Sequence, residues 1–66
     1  MQTTRIYNVL KVAEGGIGQR EAIAIAKQYG ATKAVGQSSG YVGQTALAVT
    51  ASERNHRRIE DALYSY

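Results

Sequence analysis

Few residues in this chain of 66 carry chemistry on their own, and the first is His56, the only histidine. Its ordinary pKa lies near neutrality, as a general base needs. A base also needs an oriented partner and a substrate pocket, and so short a chain has little volume for one. His56 sits at the edge of an apolar helical stripe and reads as a partly buried packing residue. There is no cysteine, which removes thiolate catalysis and Cys-based zinc sites. A metal held by one histidine would need a carboxylate cluster, and none is visible. No cofactor and no metal are expected, and the chain is not expected to be an enzyme.

Three further stretches invite a ligand. EGGIGQRE, residues 14–21, lies between a strand and a helix, where backbone amides can hold a phosphate. A dinucleotide loop would want glycine where Glu21 stands, and no Gly-Lys-Ser/Thr follows, so the segment reads as a turn. Arg54, Arg57 and Arg58 could fork phosphates, but Glu53, Glu60 and Asp61 compete for them. GQSSGYVGQ, residues 36–44, has three glycines and two serines, the composition of a hairpin tip joining two strands.

The elements that must position these residues follow from periodicity. TRIYNVLKVA, residues 4–13, is a strand with Ile6, Asn8, Leu10 and Val12 on one face and Arg5, Tyr7, Val9 and Lys11 on the other. QREAIAIAKQYG places Ala22, Ile25, Ala26 and Tyr29 along one side of a helix, with Gly30 as its C-terminal cap. ATKAVGQ and YVGQTALAVT are strands either side of the tip. Thr50 to Glu53 spells a capping box. In the helix after it, Ile59, Ala62, Leu63 and Tyr66 make a core stripe, and Glu53 with Arg57 and Arg57 with Asp61 form i, i+4 pairs. The expected fold is a single α+β domain over residues 1–66, in the order β-α-β-β-α. It has a three-stranded sheet with two helices on one face.

At this length the buried fraction of surface is small, so stability is marginal without help; with no disulfide available, oligomerisation is the expected source. No apolar run suits a signal peptide or a membrane span, and the chain is read as complete from Met1 and cytoplasmic in a bacterial host, with no membrane partner. The net charge is +3, the excess coming from Arg5, Lys11, Arg20, Lys27 and Lys33 over Glu14 and Glu21. With Ile6, Leu10 and Val12 turned to the helices, the outer sheet face would present Arg5, Tyr7, Val9 and Lys11 beside a floor of Ala46 and Ala48. Such a platform suits a partner protein, a stacked base or a second copy of the chain. The candidate binding residues are Arg5, Tyr7, Lys11, Lys33, Tyr41, Arg54 and Arg58.

The element order resembles a ferredoxin-like βαββαβ domain that stops before its last strand. Within that class REAIAIAKQYG, SSGY and SERNHRRIEDAL resemble stretches of the RNA-recognition motif. Of that motif's aromatics only Tyr7 and Tyr41 are retained, and the resemblance implies single-stranded nucleic-acid binding through the sheet. A very short chain without cysteine or proline, rich in Ala, Gly, Gln and Thr, is also similar in style to the small phage proteins that block host defences, anti-CRISPR proteins among them. That resemblance implies a phage or mobile-element inhibitor occupying a host protein or nucleoprotein complex. Tyr7 and Tyr41 would anchor it while Arg5, Lys11 and Lys33 steer it. The alternative is a small RNA- or DNA-binding domain using the same face. A helix-turn-helix reading fails because Gly36, Ser38, Ser39 and Gly40 stand where a recognition helix would run.

Overall fold

The computed structural model describes residues 1–10, 15–38 and 43–65, with the backbone alone at residue 10. The chain runs β1 (Gln2–Leu10), α1 (Gln19–Gln28), β2 (Lys33–Gln37), β3 (Gln44–Ser52) and α2 (Glu53–Leu63). This is the expected α+β order. The strands lie side by side as β1-β3-β2, with both outer strands antiparallel to β3. β1 and β2 therefore run parallel to each other with β3 inserted between them, and α1 makes the crossover. β2 and β3 form the expected hairpin, although residues 39–42 of its tip lie outside the described residues.

Burial mostly alternates along the sheet because the helices cover one face; Ala46 of β3, buried on the other face, breaks the alternation. Tyr7 and Val9 of β1, Ala34 of β2, and Leu47, Val49 and Ala51 of β3 pack under Ala22 and Ala26 of α1 and Ile59 and Leu63 of α2. Ile17, from the segment entering α1, plugs the same core. The Ile59 and Leu63 stripe agrees with the helical spacing read from the sequence; Tyr66 lies outside the described residues. Tyr29 departs from expectation, being 40% exposed. It is the C-cap of α1, with φ −96° and ψ 18°, so the helical stripe does not extend to it.

α1 stops at Gly30 as its position predicts. Gly30 has φ +100°; its N–H donates to Lys27 O at 3.2 Å and the Ala31 N–H to Ala26 O at 3.0 Å. That bond pair is a Schellman closure, which glycine permits because a side chain strains the left-handed backbone. A Cβ there would also meet the Asn55 side chain. Gly36 serves a different purpose. The Gln19 side chain lies where its Cβ would be, and the Gln19 amide donates to Gln37 O and Ala46 O at 3.1 Å each. The first turn of α1 is thereby tied to both strands of the hairpin.

The start of α2 corrects the sequence reading. Ser52, not Thr50, is the N-cap, its hydroxyl accepting from the Asn55 N–H at 3.2 Å. The ladder to β1 continues through Thr3↔Ala51 and Gln2↔Ser52, so sheet pairing holds Thr50 in the strand. There its hydroxyl shares a 2.8 Å hydrogen bond with that of Thr4. Glu53 does not close a capping box. Its carboxylate accepts from the Thr3 hydroxyl at 3.1 Å and pairs with the Arg5 guanidinium, stitching the helix start to β1.

Candidate interaction surface

Each directly opposed pair in an antiparallel ladder points to the same face. The register therefore lays out the open face of the sheet as three rows: Thr4, Thr50 and Lys33; Ile6, Ala48 and Val35; Asn8, Ala46 and Gln37. The middle row is apolar, and its two ends stand out of the surface, Ile6 being 52% exposed and Val35 46%. The rows either side offer hydroxyls, amides and one ammonium. Thr4, Lys33, Val35, Gln37, Ala48 and Thr50 line an open depression of about 260 Å³. The exposure is uneven: Ala46, between Asn8 and Gln37, is only 2% exposed, so the open part of this face is the part carrying the rows of Thr4 and Ile6.

The expected orientation of β1 is reversed. Tyr7, placed outward by the sequence reading, is 4% exposed and lies against His56 of α2, and Val9 is buried on the same face; Ile6, placed inward, is on the open face. Side chains alternate with a period of two, so assigning one residue wrongly turns over the whole strand. The apolar weight of Leu10 and Val12 favoured the even-numbered residues. β1 is described from Gln2 to Leu10, a span in which the even set is mostly polar; Lys11 and Val12 lie outside the described residues. The odd set also finds partners for its polar atoms. His56, fully buried, donates from Nε2 to the Thr3 carbonyl at 2.7 Å, and its Nδ1 shares a 2.7 Å hydrogen bond with the Tyr7 hydroxyl. Burial pushes the Tyr7 phenol above its ordinary pKa near 10, with Arg5 pulling the other way. Tyr64 packs against the Tyr7 ring at 6.2 Å between centroids.

The remaining candidate residues divide between two surfaces. Lys33 is exposed on the open face; Ala48 lies part-exposed on it beside Ile6, and Ala46, expected as part of an exposed floor, is buried beside Asn8. Arg54 and Arg58 are exposed on α2, in the helical layer, so they cannot share a flat contact with Lys33. Arg5 is exposed at the helix layer and bound to Glu53. Arg5, Glu53, Arg54, Arg57 and Glu60 line an open groove of about 520 Å³. The expected pairs of Arg57 with Glu53 and Asp61 are absent among the described residues, where Arg5 with Glu53 is the one ion pair. Glu53 is drawn to β1 instead. Lys11 and Tyr41 lie outside the described residues. Ile6 and Val35 are the surface residues that sequence reasoning missed; the alternation of Lys33, Val35 and Gln37 against Ala34 and Gly36 carried a signal for Val35.

No protein-family model, no curated protein and no solved structure matches this chain. Among the described residues no helix is long and apolar enough to cross a membrane, and no three metal-ligating side chains gather.

Proposed function

We propose that this protein is a non-enzymatic binding protein that docks through the open sheet face onto a host protein or nucleoprotein complex, as a phage or mobile-element inhibitor of the anti-CRISPR type would. The observation that carries the docking reading is the uncovered Ile6, Ala48 and Val35 row, framed by hydrogen-bonding rows. An apolar centre with a polar rim is the anatomy of a protein interface. The inhibitor reading adds the short, cysteine-free, proline-free chain. The single imidazole has both ring nitrogens engaged inside the fold, which supports a reading without general-base catalysis.

The experiment compares a tagged wild-type chain with an Ile6→Asp, Val35→Asp double variant in nuclease-treated bacterial lysate. A stoichiometric protein captured by the wild type and lost from the folded variant is the expected result. Equal capture by both chains would remove the open face from the contact.

A second reading draws on the arginines of α2. Arg54, Arg57 and Arg58 are exposed and free of ion pairs among the described residues, so direct nucleic-acid binding would run through this helix. With Tyr7 buried, the described part of the open face lacks an aromatic on which a base could stack. Arginine-to-phosphate binding would weaken steeply with added salt as counterion release is suppressed, whereas an apolar contact would not.

A further inference from the structure

We infer that β1 pairs with β1 of a second copy of this chain, antiparallel and centred on Ile6, to make a two-fold dimer with one continuous six-stranded sheet. The inference goes beyond the docking function and does not rest on it.

The argument begins with the edge of β1. Backbone groups in an antiparallel strand point alternately toward and away from the neighbouring strand. The Asn8 N–H donates to the Tyr64 hydroxyl at 3.3 Å, so Asn8 faces away from β3, and by alternation Thr4 and Ile6 do too. Among the described residues no side chain bonds the outward Thr4 and Ile6 backbone groups, while the Tyr64 hydroxyl occupies the Asn8 N–H. A bare edge is a template for another strand, and monomeric proteins blunt it with lysine, proline, bulges or short strands. Among the described residues β1 has none of these: from Gln2 to Leu10 it pairs with β3 without a break and contains neither lysine nor proline, while Lys11 lies outside the described residues. Its one charge, Arg5, lies on the helix face and is paired with Glu53. The other edge is protected: β2 has five residues and opens with Lys33.

A second copy fits this edge on three grounds. About a two-fold axis through Ile6, Thr4 meets Asn8 of the other copy, and Arg5 meets Tyr7 rather than another arginine, so no like charges face each other. The outward residues Thr4, Ile6 and Asn8 become the hydrogen-bonded positions, with the Asn8 N–H exchanging its long bond to Tyr64 for the Thr4 carbonyl opposite. The exposed Ile6 side chains become neighbours, and the apolar row of the open face doubles in length. The edge is about 30 Å long at the rise of a strand, and the molecule is 15 Å across its thinnest dimension. That contact is smaller than the ~800 Å² per partner of a standard interface, so dissociation is expected in the micromolar to millimolar range.

The absence of native cysteine allows a clean test. Ile6→Cys and Val35→Cys variants are oxidised at matched concentrations, and the wild type is followed by sedimentation from micromolar to millimolar. Hydrogen-bonded antiparallel positions hold their Cα atoms about 5.5 Å apart, within disulfide reach. The expected results are concentration-dependent dimerisation and rapid covalent dimer from I6C, with V35C remaining monomeric. A wild type monomeric throughout the range would overturn the inference. So would V35C crosslinking as fast as I6C, which would place the contact face to face. Ile6→Pro removes an outward N–H without touching the ladder to β3, and is expected to yield a folded monomer by circular dichroism.

Discussion

The two faces of the sheet are built from alternate residues of the same three strands, yet they solve opposite problems. On the covered face, Tyr7, Leu47 and Val49 lie under two helices, and each polar atom taken inside has a partner: the Tyr7 hydroxyl with His56, and His56 with the Thr3 carbonyl. On the open face, Ile6, Ala48 and Val35 make a similar apolar row that nothing described covers. Hydrophobic side chains alone therefore do not say which face is the core. What separates the faces is whether the helices can seal the surface and satisfy the polar groups that go under with it.

The comparison breaks most visibly by truncation. Leu47→Ala should cost about 2–5 kcal/mol of unfolding free energy, since it empties a fully buried site. Ile6→Ala should stay within about 0.5 kcal/mol as an exposed substitution. Denaturant melts at concentrations low enough to keep the chain monomeric would check both, and an Ile6 effect as large as that of Leu47 would mean the open face is covered in the monomer.

Tyr7→Phe is next in size. It keeps the ring and strips the hydrogen bond from His56 Nδ1, at about 1–3 kcal/mol for a buried polar atom left alone. It should also alter the alkaline limb. The folded state holds the Tyr7 phenol above its ordinary value, so the wild-type contribution is fully present below about pH 10, the unfolded value. It is lost as pH rises through the raised folded pKa, because the unfolded chain releases the proton first. Subtracting the Y7F stability curve from that of the wild type should show this loss above pH 10, and coincident curves would refute the assigned burial.

Ser52→Ala should cost about 1 kcal/mol by removing the N-cap of α2, whereas the same change at Thr50 should cost less because its hydroxyl caps no helix. Smallest of all, Glu53→Gln should cost well under about 1 kcal/mol, since the ion pair with Arg5 is solvent-exposed and screened. If the arginine surface of α2 binds nucleic acid, releasing Arg5 from Glu53 should steepen the salt dependence of that binding.

Much of the fold was legible before any coordinates. The stripe of Ala22 and Ala26, the stripe of Ile59 and Leu63, and the glycine-rich hairpin placed the elements in order, because helical and strand periods are local properties of the chain. Gly30 marked the end of α1 for the same reason. The N-cap was not legible, since T-A-S-E offers two hydroxyls and only the ladder to β1 decides that Ser52 turns the chain. Nor was the role of His56, whose partners Thr3 and Tyr7 are about fifty residues away in sequence.

By itself, the sequence determined the element order and the absence of any cysteine chemistry. Those depend on residue types and short-range spacing. Only the tertiary structure decided that β1 turns Tyr7 inward and Ile6 outward, that Glu53 leaves its helix to hold β1, and that the α2 arginines and Lys33 face different surroundings. β1 has apolar residues on both faces, so its own pattern was nearly balanced. The balance was tipped by hydrogen bonds and packing to α2, contacts that exist only once the chain has closed on itself.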